Sequence, residues 1–215
     1  MTKIEKVDLN EYPRKKLLEW FMQFEDPYWS VTAEADVTNA LAACKNNDIS
    51  FFDMCLYIFL RSSNETDAFR YRIMDGDVYK LTNIGTTTSL LGDNYVFHTV
   101  IVPYIENFSD FALKLKQIKN DCTLKDAPRL KFDEREKFIS LNCNPLLSFT
   151  AMNFGRATRS QTIPLINWGK KFERDGKWFI PYSMYVNHMF IDAIHLSLFQ
   201  EKLNRYFDNP DFILN

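Results

Sequence analysis

Trp178-Phe179-Ile180-Pro181-Tyr182-Ser183-Met184-Tyr185-Val186, running into Asn187-His188-Met189-Phe190-Ile191-Asp192-Ala193, is the stretch that decides the fold. Side chains alternate across a strand, so Tyr182, Met184, Val186 and His188 fall on one face. From about Ala193 the period changes. Leu196, Phe199, Leu203 and Tyr206 are spaced for one side of a helix reaching Phe207, and Asn209-Pro210 ends it. A strand passing directly into an amphipathic helix calls for a sheet with helices packed on it.

Upstream, the turn Arg174-Asp175-Gly176 separates this strand from one over Leu165 to Lys171. Before that come a predicted strand, Leu146 to Met152, and a loop, Phe154 to Thr162. Lys125 to Lys137 is charged and contains Pro128, as in a surface loop or short helix. Phe108 to Cys122 has helical spacing, and Tyr95 to Val102 reads as a strand. Phe69 to Ile73 and Val78 to Leu81 flank Met74-Asp75-Gly76-Asp77, and Asp-Gly between two such runs signals a hairpin.

The first third holds a helix over Tyr12 to Phe24, with Pro13 suited to its first turn and Pro27 closing the element. A strand over Ser30 to Asp36 follows, then helices over Val37 to Lys45 and Ile49 to Arg61. No repeat or linker divides the chain. The expectation is a single α/β domain over residues 1–215, with a large mixed, mostly antiparallel sheet flanked by helices.

Composition narrows the chemistry. Six glycines in 215 residues leave no phosphate-cradling glycine motif. A net charge of −2 gives no reason to expect nucleic acid. Arg14-Lys15-Lys16 and Lys170-Lys171 read as solvated faces, although a ligand carrying phosphates could use two or three of them. Cys44, Cys55, Cys122 and Cys143 stand alone, without zinc spacing, and read as reduced thiols. The charged opening segment lacks a signal peptide's apolar core. The longest apolar run, Ile49 to Leu60, is too short to span a bilayer and contains Asp53. A cytoplasmic protein with no membrane partner is expected.

There are three histidines, at 98, 188 and 195. His98 lies within a strand and His195 within a helix, where structural roles are expected. His188 leaves a strand just before a helix, a rigid and reachable position, although a core histidine bonded to backbone fits the spacing too. His188 and Asp192 form a His-x-x-x-Asp pair with no third ligand near, so no metal is expected. Asp192 also suits the N-cap of the helix that follows.

The stretch from Asn187 to Ala193 resembles the His-x-x-x-Asp-Gly motif of the chloramphenicol acetyltransferase family and related lipoamide acyltransferases. Three further pieces fall in the family's order. Asn10 to Lys15 is similar to its Trp-x-Arg segment, with Tyr12 for Trp and Arg14 kept. Phe69 to Gly76 matches its Phe-Arg-(four residues)-Asp-Gly hairpin. Pro145 to Met152 resembles its Pro-Trp-x-Ser-Phe-Thr-Ser-Phe strand. The resemblance covers essentially the whole chain and implies the CoA-dependent acyltransferase fold.

It also implies a homotrimer with active sites between subunits. On the same resemblance acetyl-CoA would serve as co-substrate, and a small hydroxylated acceptor such as chloramphenicol would take the acetyl group. His188 would be the general base, an unperturbed imidazole suiting that work at neutral pH. Asp192 would pair with Arg14 as a support of the site rather than a charge partner of the imidazole. By position, Phe24, Tyr28, Trp29 and Phe97 are candidates to line an acceptor pocket.

Two positions depart from the pattern. Ala193 replaces the motif's final Gly. Ala151 replaces a Ser whose hydroxyl donates to the tetrahedral oxyanion in the family, and losing one such donor costs about 10²–10³ in rate. Strand alternation sets Thr150 on the face opposite Ala151. Asn167, where the family has Thr, is the candidate substitute donor. The alternative is a catalytically weakened relative that binds a ligand or serves as a scaffold.

Overall fold

The eleven-residue strand β10 (Lys177–Asn187) pairs antiparallel with β2 (Tyr28–Asp36), β8 (Leu165–Gly169) and the short β9 (Phe172–Arg174). The computed structural model describes residues 2–92, 95–122, 136–155 and 161–214. Beyond β8 the pairing becomes parallel, to β7 (Phe138–Asn144) and then β5 (Gly85–Leu91), while β6 (Phe97–Val102) runs antiparallel to β5. The strand order is β2-β10-β8-β7-β5-β6, with β9 on β10. The sheet is mixed and mostly antiparallel, as the sequence predicts.

Helices cover one face. Phe59 of α3 (Phe51–Asn64) stacks on Trp168 at 5.1 Å and meets Tyr182 edge-on at 5.6 Å. On α5 (Ala193–Asp208), Leu196, Phe199, Leu203, Tyr206 and Phe207 are buried, each side chain stabilising by about 1.5–3 kcal/mol. The other helices are α1 (Lys15–Phe21), α2 (Thr38–Asn46), α4 (Phe108–Cys122) and α6 (Asp211–Leu214). Among the described residues no helix is long and apolar enough to cross a membrane.

A second sheet, β1-β4-β3, joins Ile4–Lys6, Asp77–Leu81 and Tyr71–Met74. Asp75 and Gly76 turn its hairpin with φ of 51° and 84°, the left-handed pair a two-residue hairpin turn requires. Arg72, fully buried, donates to the carbonyls of Phe69, Tyr71, Glu136 and Phe138 and so ties this hairpin to the start of β7.

Several boundaries differ from expectation. The first helix covers Lys15–Phe21 rather than Tyr12 to Phe24, with Arg14 at its N-cap and residues 22–25 in turns and bends. Strands β1, β5 and β7 are not evident from local pattern. Leu146 to Met152 forms no strand. It crosses the open face of the sheet, held by Lys170 N–H donating to Leu147 O and Ser183 Oγ donating to Met152 O, both near 2.9 Å. The alternation argument separating Thr150 from Ala151 therefore lapses, and both side chains are exposed. Most of Lys125 to Lys137, and residues 156–160 of the loop from Phe154 to Thr162, lie outside the described residues.

Candidate active site

The end of β10 is shaped by Asn187. Its Oδ1 accepts from Met189 N–H at 2.9 Å, and its backbone carbonyl accepts from Phe190 and Ile191. Asn favours such side-chain-to-backbone turns. Met189, Phe190 and Ile191 are buried, so the turn draws three apolar side chains inward. His188 N–H donates to Pro27 O at 2.8 Å.

The imidazole of His188 lies between two parallel rings, Phe21 at 4.3 Å and Trp29 at 5.0 Å between centroids. Trp29 is fixed in turn, its indole N–H donating to Ile191 O at 3.0 Å. Nδ1 of His188 sits 2.9 Å from Asp192 Oδ1. The side chain is 34% exposed, and Nε2 has no hydrogen bond among the described residues.

Asp192 is a junction. Arg14 Nη1 donates to its Oδ2 at 2.5 Å and Arg14 Nη2 to its Oδ1 at 2.9 Å, a two-pronged pair of the strong kind. That pairing, and then the His188 contact, hold the Asp192 carboxyl below the ordinary carboxylate range despite partial burial. Asp192 occupies the N-cap position of α5, and its own N–H donates to His195 Nδ1 at 2.9 Å. Burial, and then the charge of Arg14, lower the proton affinity of His195.

The site therefore differs from expectation in one respect. Asp192 pairs with Arg14 and also touches the imidazole, because the turn through 189–191 brings positions 188 and 192 to one side.

Of the other candidates, Tyr28 pairs with Asn187 and Phe24 packs on Phe21 beside the site, whereas Asn167 and Phe97 lie away from it. Ser183 is opposite Asn167 in the sheet and lies five residues from His188 along β10, a separation of about 16 Å. Asn167 is buried, with Nδ2 at 2.9 Å from Met152 Sδ and Oδ1 without a partner among the described residues. Phe97 lies on the far edge strand and is 65% exposed. Phe24 packs on Trp20 and Phe21 with an exposed face. The Tyr28 hydroxyl is engaged structurally, donating to Gln161 O at 2.6 Å. Phe21 reads in sequence only as part of an apolar helix stripe. Its place with Leu17, Trp20 and Phe24 in that stripe carries no sign of a histidine partner.

A central strand ending in a histidine, a mixed six-strand path and helices on one face define the CoA-dependent acyltransferase fold. A probable dihydrolipoamide acetyltransferase from Listeria monocytogenes shares that fold, with a TM-score of 0.64 at 10% identity over 92% of each chain. The family model for chloramphenicol acetyltransferase matches residues 2–204, and the chain belongs to that family of acyltransferases. It is 26% identical to a chloramphenicol acetyltransferase from Proteus mirabilis over 94% of each chain. A solved chloramphenicol acetyltransferase superposes with a TM-score of 0.87 at 31% identity, covering 95% of this chain and 100% of that one.

Proposed function

We propose that the protein moves the acetyl group of acetyl-CoA to the hydroxyl of a small acceptor, chloramphenicol or a similar compound, with His188 as general base. The observation that carries this reading is the imidazole itself. It is fixed by Phe21 and Trp29, engaged at Nδ1 by Asp192, and has Nε2 unbonded at a solvent-reachable position.

Nε2 takes the proton from the acceptor hydroxyl as that oxygen attacks the thioester carbonyl. The carbon–sulfur bond then breaks, and the proton passes to the departing CoA thiolate. Asp192 and Arg14 hold the framework. Asn167 stands as the candidate oxyanion donor in place of the hydroxyl absent at Ala151.

Within one chain Asn167 and Phe97 are far from His188, which supports a site completed by a second copy. A homotrimer provides that copy. Leu91, Tyr95, Val96 and Phe97 around one hairpin, and Leu146 and Leu147 on the open sheet face, are large apolar side chains left exposed on a single chain. Exposed apolar patches of this kind favour partner contact. The free thiols of Cys44, Cys55 and Cys143 support a reducing, cytoplasmic setting.

The test is CoA release from acetyl-CoA and chloramphenicol, followed with a thiol reagent. Turnover is expected, and His188→Ala should lower it about 10²–10⁴-fold while leaving the circular dichroism spectrum and melting transition in place. Full turnover in that variant would assign the base elsewhere. Ala151 favours a second reading, a weakened relative that binds a ligand or acts as a scaffold. Silence across a panel of alcohols would select it.

A further inference from the structure

We infer that Met152 is a positioning residue: its thioether holds one hydrogen of the Asn167 amide and so aims the other, the donor that stands in for the hydroxyl absent at Ala151. This rests on the transfer reaction proposed above, with Asn167 as oxyanion donor, and deepens that reading. The family pattern has Phe where Met152 stands and Thr where Asn167 stands, so the pair is a feature of this chain.

Asn167 Nδ2 lies 2.9 Å from Met152 Sδ. A thioether sulfur accepts weakly and has no hydrogen to give, so the nitrogen end of the amide faces it and the carbonyl end turns away. The amide nitrogen thus sits against residue 152, the chain neighbour of Ala151. Asn167 is 9% exposed, and its Oδ1 has no partner among the described residues. A buried carbonyl left unpaired is costly, and such groups in a fold call for an explanation in function. Here the amide keeps its orientation through the one bond to sulfur. Nδ2 carries two hydrogens. With one on the thioether, the planar amide fixes the direction of the second, which donates to the thioester oxygen as negative charge develops there.

Met152 is itself seated. Ser183 Oγ donates to Met152 O at 2.9 Å, and Thr32 Oγ1 lies 2.8 Å from Ser183 Oγ. A hydroxyl has one hydrogen, and Ser183 uses its own on Met152, so Thr32 donates to Ser183. Ser183 is opposite Thr32 on β2 and Asn167 on β8. The backbone and the side chain of residue 152 are therefore held from a single row across the sheet.

The test pairs Met152→Leu with a spectrum of the side-chain amides in nitrogen-labelled protein. Leu keeps the volume and removes the sulfur, a swap that cores tolerate well. The Asn167 signals are identified by their loss in Asn167→Asp. In Met152→Leu they should shift, and their exchange with water should quicken. The same variant should lose kcat toward the about 10²–10³-fold cost of one oxyanion donor, with KM changed less than about threefold.

Ala151→Ser supplies a hydroxyl that does not depend on Asn167, so adding it to Met152→Leu should restore kcat. A packing role for Met152 predicts no such rescue. Wild-type kcat in Met152→Leu, an Asn167 amide untouched by that substitution, or a double variant no faster than Met152→Leu would each overturn the inference while leaving the transfer reading in place. Silence of the wild type with every acceptor would instead sink the transfer reading and the positioning role with it, and the amide spectrum would still decide whether the thioether holds Asn167.

Discussion

At residue scale the region around His188 is governed by which nitrogen of each histidine is engaged. His195 accepts the Asp192 N–H through Nδ1, which only a neutral ring can do. Its pKa lies below the ordinary 6.5, first through burial and then through Arg14. The unfolded chain therefore takes up a proton at this residue before the folded one does. Stability contributed by neutral His195 is present above about pH 6.5 and is lost as pH falls from there through the lowered folded value. Asp192 adds nothing in that window, since its carboxyl titrates below 3.8. His195→Gln keeps an acceptor at the same helix position and has nothing to titrate. Its melting temperature should fall less than the wild type's between pH 7 and pH 5. Parallel declines would show that His195 is not the proton-linked group.

At element scale, what was legible followed from local periodicity, and what was not followed from pairing across the sheet. The strand-to-helix passage from Trp178 to Phe207, the Asp75-Gly76 hairpin and the helix over Phe108–Cys122 carry their signals in their own residues. Strands β5 and β7 do not. Gly85–Leu91 opens on five small residues, Gly-Thr-Thr-Thr-Ser, before two leucines, and its place is set by neighbours on both sides. Pro145 to Met152 looks like a strand because its side chains alternate, yet it lies over the sheet rather than in it. The family motifs single out His188, Arg14 and Asp192 as candidates, and the three side chains meet in the structure. No spacing could show that Phe21 and Trp29 stack on the imidazole, because those contacts join α1 and β2 to the end of β10. The seating of the 145–155 segment can be tested at Gly169. A Cβ there would come within 2.7 Å of Leu147 O and 2.9 Å of Phe149 Cε1 and Pro181 Cγ. Gly169→Ala should cost about 1–3 kcal/mol in urea unfolding, as overpacking of a close contact does. A change below about 0.5 kcal/mol, the scale of an ordinary surface substitution, would show that the segment does not press on β8.

At the scale of the whole molecule, the distances within one chain decide how an active site can be assembled. Phe97 on β6 and Tyr28 on β2 sit at opposite edges of the strand path, five spacings or about 24 Å apart. Asn167 lies about 16 Å from His188 along the strand direction. If the base of one copy meets the pocket of the next, inactivating the two halves on different chains leaves some sites intact. His188→Ala and Phe97→Arg, the latter on an exposed side chain, are each expected to be inactive alone. Unfolded together in equal amounts and refolded, they should recover activity. In a closed ring of mixed copies, each junction has a half chance of a working base and a half chance of a working pocket, so about a quarter of the sites return. Sites built within a single chain would recover nothing, because every chain carries one defect. Zero recovery from a mixture shown by native mass spectrometry to contain both variants in one oligomer would therefore rule out the shared site, whereas full turnover by Phe97→Arg alone would remove Phe97 from the pocket.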